Sequence, residues 1–438
     1  MPIVIIIAGI AALLVLIMAL RVNAFISLLI VSIGVGLAEG MDVSTVVGTV
    51  QKGIGNTLNF LAPILGLGAM LGGLIAESGA AQSITNRLTH WFGEKRIQWA
   101  MLITGFIVGI PLFYSVGFLM LIPIIFAVHT STRQPLLYVG IPMIAALSVT
   151  HGFLPPHPAP SSIAVIYGAD ISMTLLYGLI LAVPTVIIAG PLFGRTLRKI
   201  NVEPRKDLFK TVETDPDKLP SFGIAVLTCL IPVLLMGTAA IAKLTIPEGT
   251  AAAKFLAFIG DPIISLLIAV LIATYTLGVS RGKTLTQVME GLGDSVKAIA
   301  MIMLIIAGGG AFKQILTDSG AGDYIVEALK GSALSPLVLA WCIAAALRIA
   351  LGSATVAALT AAGIAAPLVG ATDVSPELLV LATGAGSLTF SQVNDTGFWL
   401  FKEYFNLSIT ETFKSWTAME TIVSIIGLIG VLLLDAII

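Results

Sequence analysis

"IQWAMLITGFIVGIPLFYSVGFLMLIPIIFAV", residues 97–128, carries no charged side chain and is interrupted near its centre by Pro111 and neighbouring glycines. A helix crosses the hydrocarbon core of a bilayer with about 20 apolar residues, so this run can hold more than one pass. Uncharged runs recur at 2–20, 54–76, 171–194, 219–242, 262–280 and 331–347. Backbone groups in lipid must be satisfied within the spanning structure, which leaves helices or closed barrels. The runs are continuous rather than alternating, so helices are expected. The predicted fold class is an all-α polytopic membrane protein with about 11 to 14 membrane segments.

Composition agrees. The 438 residues are 57% hydrophobic and 11% charged, against about 25% charged in soluble domains. A formal net charge of −1 without basic clusters excludes nucleic acid as a partner and leaves the lipid bilayer as the surroundings. Cys229 and Cys342 lie in apolar runs and read as inert core thiols, with no disulfide framework. Residues 1–21 have no basic region ahead of the apolar run and continue through "RVN" into another, so they read as a first span rather than a cleaved signal. Residues 195–218 hold seven Lys or Arg against five acidic residues. Basic residues near span ends stay in the cytoplasm, so this central loop is predicted to be cytoplasmic.

Short strings recur in order. "ISLLI" occurs at 26–30 and 264–268, "LIAESGA" at 74–80 is echoed by "ILTDSGA" at 315–321, and "YGADISMTLLYG" from Tyr167 matches "YFNLSITETFKS" from Tyr404 in pattern. The offsets stay near 240 residues. The chain therefore reads as two homologous repeats, 22–194 and 260–438, joined by 195–259, which holds the charged loop and a linking span. Internal repeats with binding at their interface are the usual architecture of secondary transporters. Whether the repeats are inverted depends on the parity of spans between them.

Each half carries two interruptions of apolar helix. In the first these are "GIPLFYSVGF" (109–118) and "THGFLPPHPAPSS" (150–162), in which four prolines and two of the four histidines crowd together; in the second, "LGSATVAALTAAG" (351–363) and "SLTFSQVNDTGFW" (387–399). Broken helices at membrane depth are tolerated where freed backbone faces protein or a wet cavity, and they mark binding sites. The prolines end the helix arriving through "IPMIAALSV", and Pro160 is placed to start the next, so two helix ends should meet near His157. "PSS" and "GSAT" read as N-terminal caps, with Ser161, Ser162, Ser353 and Thr355 able to serve an anion or a substrate hydroxyl.

Asp395, beside Asn394 in a weakly polar stretch, is the leading carboxylate, because ionisable groups inside a membrane are functional by default. Arg348 interrupts an apolar run; it either pairs a substrate carboxylate, holds the hairpin through backbone carbonyls, or snorkels, with the structural role favoured. Lys313 reads as lying near a helix end. Two histidines without neighbouring Cys or carboxylate ligands do not make a metal site, and no cofactor is expected. No phosphate-cradling motif is present for an ATP-driven pump. A membrane enzyme using His151, His157 and Asp395 would lack a nucleophile, so the chain is not read as an enzyme.

"LGAMLGGLIAESGAAQ", "THGFLPPHPAPS", "GGGAFKQILTDSG", "LRIALGSATVAALTAAGIAAP" and "NDTGFWLFKEYFNLSITET", in this order, resemble the gluconate permease family of gluconate:proton symporters within the ion transporter superfamily. The resemblance implies inverted repeats, re-entrant hairpins, alternating access across a bacterial inner membrane, and proton-driven import of gluconate or a related sugar acid. Related folds often dimerise, so a homodimer is one implied assembly. The implied pocket falls on the four interruptions, with Tyr114, Ser115, His151, His157, Ser161, Ser353, Thr355, Gln392 and Asn394 as substrate-binding candidates. Where the family usually has a glutamate this chain has Ser115, and where it has a histidine this chain has Gln392. Proton coupling would then pass to Asp395 first, or to His151 or His157. An uncoupled facilitator, or a symporter for another small hydroxylated carboxylate or D-serine, stays open.

Overall fold

The computed structural model describes residues 2–200, 202–203, 219–247, 249–320, 334–370, 373–393 and 395–438, with the backbone alone for residues 2, 3, 18, 115 and 116. Its regular elements are helices: α1 (Pro2–Leu14), α2 (Ala24–Ala38), α3 (Val43–Glu77), α4 (Ala80–Phe92), α5 (Ile97–Gly109), α6 (Tyr114–Thr132), α7 (Leu136–Phe153), α8 (Pro158–Tyr167), α9 (Ile171–Ile187), α10 (Phe222–Thr245), α11 (Ala251–Ile259), α12 (Pro262–Ala273), α13 (Leu285–Asp318), α14 (Pro336–Leu351), α15 (Ala354–Ala365), α16 (Pro376–Gly386), α17 (Thr396–Tyr404) and α18 (Ala418–Asp435). Short π segments extend α1, α9 and α12, and another, Phe413–Thr417, leads into α18.

Among the described residues, seven helical stretches are long and apolar enough to cross a bilayer, and α2, α14 and parts of α1, α6 and α15 add shorter apolar helices. The uncharged run 97–128 is two helices, α5 and α6, with a turn between them. The run 54–76 is the C-terminal part of a longer helix that begins at Val43 and takes in Lys52. The linking span expected at 219–242 is α10, which runs from Phe222 to Thr245. Cys229 is buried as expected, whereas Cys342 is exposed on α14, because that helix has one side turned away from the protein. An apolar run fixes a helix but not which of its faces is covered.

Two long helices form the spine. α3 has 35 residues and α13 has 34, and they pack antiparallel, with Gly53 against Gly310 near one end and Gly73 against Ser295 near the other. A Cβ on Gly53 would stand 2.5 Å from the Gly310 carbonyl oxygen, so only glycine allows the backbones this close. Small residues at such crossings are how helices associate without a hydrophobic drive between them. Both ends are clamped by ion pairs: Lys52 to Asp318 at 3.2 Å, and Lys283 to Glu77 at 2.6 Å. The two carboxylates come from the strings "AESGA" and "TDSGA". Each string closes its helix alike, with a serine C-cap followed by a glycine at positive φ, Gly79 at 74° and Gly320 at 73°.

α7 lies at the centre. Every residue of it except His151 is buried, in keeping with a helix that is apolar all round. α5, α6 and α9 surround it, with α16 and α18 on the side of the second half. Gly152 and Gly384 bring α7 and α16 into backbone contact, a Cβ at Gly384 being 2.3 Å from the Gly152 carbonyl oxygen. The ends of α7, α8, α14 and α16 thereby converge on one region.

Candidate functional site

All four interruptions fall between helices, and they are tied together in pairs. α5 stops at Gly109 and α6 starts at Tyr114; α7 stops at Phe153 and α8 starts at Pro158. His157, the residue ahead of α8, donates its Nε2–H to the Gly109 carbonyl at 2.8 Å. That contact fixes the tautomer, since a carbonyl only accepts. The imidazole satisfies a carbonyl at the end of α5 and joins three helix ends at one residue. α8 begins at Pro158, whose missing N–H is not needed there, rather than at Pro160. Ser161 and Ser162 consequently lie inside the helix and are not caps; Ser162 Oγ donates to the Pro158 carbonyl at 2.5 Å, and Ser161 Oγ is buried without a partner among the described residues.

In the second half the tie is ionic. α14 ends at Leu351, Gly352 takes a φ of 75°, and Ser353 caps α15 by accepting from the Val356 N–H at 3.4 Å. Arg348, in the last turn of α14, donates Nη1 to the Gly352 carbonyl and Nη2 to Asp395 Oδ2 at 2.5 Å. Asp395 is the N-cap of α17: its Oδ1 accepts from the Gly397 N–H at 2.9 Å, and Ser391 donates to its Oδ2. The Arg348 side chain is 2% exposed, so it does not snorkel. It holds the third and fourth interruptions together.

The Arg348–Asp395 tie lines a cavity of about 420 Å³, and the His157–Gly109 tie lies behind its wall. Tyr114, Ser148 and His151 line it from the first half; Arg348, Ser353, Thr355, Asp395, Trp416 and Glu420 line it from the second. Rings bridge the halves, His157 to His151 at 5.5 Å, His151 to Tyr114 at 6.0 Å and Tyr114 to Trp416 at 5.8 Å. Trp416 Nε1 donates to Ser391 Oγ at 2.7 Å, which connects this aromatic row to Asp395. Among the described residues, Tyr114 Oη, His151 Nδ1 and Arg348 Nε are buried without a hydrogen-bond partner. Buried polar atoms ordinarily find one, and these three belong to residues that line the cavity, where a bound molecule would supply it.

Sequence reasoning found Tyr114, His151, Arg348, Ser353, Thr355 and Asp395, and the structure brings them together. His157 and Ser161 are buried behind the lining rather than in it. Gln392 is half-buried and donates to the Ile349 carbonyl at 3.1 Å, outside the cavity lining. Asn394 and the side chain of Ser115 lie outside the described residues, as do residues 204–218 of the central loop. Lys313, near the end of α13 as expected, donates to the Ile166 carbonyl in the last turn of α8 at 2.5 Å.

Three hydrogen-bonding lining residues outside the four interruptions were missed: Ser148, Trp416 and Glu420. Glu420 had a legible signal, a carboxylate at the head of the apolar run through α18. It was obscured because the neighbouring stretch 402–414 is itself charged. A larger cavity, about 540 Å³, lies among α9, α10, α11 and α12; Asp170 and Lys243 there are paired at 2.7 Å, Asp261 caps α12, Lys254 also lines it, and its other walls are largely alanine, glycine and aliphatic residues.

An all-helical chain with many apolar helices and a polar cavity where four helix interruptions converge is a polytopic membrane protein of the transporter class. The YdaH transporter of Alcanivorax borkumensis has the same fold, with a TM-score of 0.63 over 94% of this chain and 97% of that one at 16% identity. The chain matches the model of the GntP family permeases over residues 1–437 and belongs to that family. It is 53% identical, over the whole length of both chains, to a high-affinity gluconate transporter and to the Gnt-II system L-idonate transporter, both of Escherichia coli strain K12. It is a transport protein and not an enzyme.

Proposed function

We propose that this protein is a secondary transporter that imports gluconate or a closely related sugar acid such as L-idonate, by proton symport with alternating access. The observation that carries the reading is the cavity itself, in which a buried guanidinium stands beside an imidazole and a phenol, and among the described residues the guanidinium Nε, the imidazole Nδ1 and the phenol Oη lack partners. A small polyhydroxy acid offers what those groups lack. Its carboxylate suits Arg348 and the capped start of α15 at Ser353 and Thr355, and its hydroxyls suit Tyr114 Oη and His151. The relatives that transport gluconate and L-idonate support the substrate class.

Residues 22–194 and 260–438 are read as inverted halves, a reading supported by the antiparallel course of α3 and α13 and their matching caps. The breaks between α7 and α8 and between α14 and α15 are read as the tips of re-entrant hairpins that open to one side at a time. The setting is the cytoplasmic membrane of a bacterium, with the central loop 195–218 inside.

The test is uptake of labelled gluconate by the purified protein in liposomes, with and without an inward proton gradient. Accumulation above equilibrium, driven by the gradient and competed by L-idonate but not by glucose, is the expected result. Equilibration without accumulation would make the protein a facilitator, and no uptake would remove sugar acids as substrates.

A further inference from the structure

We infer that Glu420 is the residue that carries the coupled proton, with Ser148 as its hydrogen-bond partner in both protonation states; this rests on the sugar-acid reading above. Glu420 sits in the first turn of α18, is 2% exposed, and lines the same cavity as Arg348 and Asp395. Its hydrogen-bond partner is the buried hydroxyl of Ser148 on α7. A hydroxyl both donates and accepts. Ser148 can donate to the carboxylate, or turn its O–H away and accept from the protonated acid, with no heavy atom displaced.

Asp395 is not suited to that task. Its oxygens already receive Arg348, Ser391 and the Gly397 N–H. Protonation would strand a buried guanidinium without its counter-charge, which is strongly unfavourable, and would weaken the cap of α17. His157 is committed to the Gly109 carbonyl. The charged and titratable groups that share the cavity with Glu420 are Tyr114 from α6, His151 from α7, Arg348 from α14 and Asp395 ahead of α17. α9 and α16, which also pack on α18, meet it through Leu181 at Gly430 and Ala385 at Gly427.

Charge balance supplies the coupling. The cation lining the cavity, Arg348, is offset by Asp395. A substrate carboxylate therefore arrives as a second uncompensated anion wherever Glu420 is ionised, and like charges in a dry site disfavour one another. One proton taken up on Glu420 with each substrate anion leaves the net charge of the cavity unchanged. By linkage, the proton then raises substrate affinity as much as the substrate raises proton affinity.

The experiment compares wild type with Glu420→Gln, Glu420→Asp and Ser148→Ala in liposomes, measuring gradient-driven gluconate accumulation, gluconate counterflow without a gradient, and gluconate affinity against pH. Wild-type affinity should weaken as pH rises. Glu420→Gln should lose accumulation above equilibrium, keep measurable counterflow and show a flat affinity profile, while Glu420→Asp keeps a pH-dependent one. Ser148→Ala should keep the dependence with a displaced midpoint, and it carries the test if gel filtration shows Glu420→Gln to be misfolded. Accumulation or an unaltered pH profile in Glu420→Gln would overturn the assignment. Absence of both uptake and counterflow in the wild type would instead bring down the substrate reading, and this inference with it.

Discussion

Arg348 and Asp395, 47 positions apart in the chain, meet at 2.5 Å with side chains 2% and 14% exposed. The pair joins the end of α14 to the start of α17 and places a fixed positive and a fixed negative charge on the cavity wall. Removing one partner of such a pair costs about 3–5 kcal/mol, because the other charge is left buried alone. Arg348→Ala should lower the melting temperature of the detergent-purified protein and abolish gluconate binding. Arg348→Ala with Asp395→Asn should recover much of the stability and none of the binding. Equal stability of the single and double variants would mean that the two charges are not coupled.

His157 makes a different prediction, because its role is to satisfy a carbonyl. His157→Ala leaves the Gly109 oxygen unpaired in the interior, at a cost of about 1–3 kcal/mol. His157→Gln, which keeps a donor, should recover part of the loss. Thermal unfolding measures both, and a neutral His157→Ala would show that the junction of the three helix ends is held by packing alone.

At the crossing of α3 and α13, Gly53→Val should prevent assembly and Gly53→Ala should destabilise by about 1–3 kcal/mol, since even one methyl meets backbone atoms at 2.5 and 2.8 Å. Gly55→Ala, two positions on, meets nothing within 4 Å and is the matched control. The yield of monodisperse protein in detergent reads the difference; similar losses in the two alanine variants would point to helix propensity instead of contact.

The cysteines report on which helix faces are covered. N-ethylmaleimide should label exposed Cys342 in the detergent-solubilised native protein and reach buried Cys229 only after unfolding. Labelling of Cys229 at the native rate would place α10 differently against α4 and α12.

How much of this was legible in the sequence follows from what apolar patterning encodes. Long uncharged runs specify helices, and prolines and glycines specify where they stop; 97–128 and 150–162 divide where those residues fall. The pairing of the stops is not encoded locally. Nothing near His157 points to Gly109, 48 positions away, and the partner of Arg348 was open among three kinds of contact. Gln392 was singled out because a titratable residue is usual there, yet its side chain turns to the Ile349 carbonyl outside the cavity. Glu420 was passed over because charged neighbours made its own charge unremarkable, although of Lys402, Glu403, Glu411, Lys414 and Glu420 it is the one that lines the cavity.

The burial of α7 on nearly every side bears on how the chain is made. α7 leaves the ribosome before α16 and α18, the helices that close over it, have been synthesised. Until they arrive, Ser148, Thr150 and His151 must be sheltered by lipid, by the insertion machinery or by α5 and α6, and hydrocarbon is a poor host for them. The most protected helix of the finished protein is thus the one most in need of protection during biogenesis, and substitutions that delay α16 or α18 should expose it to degradation without touching the cavity.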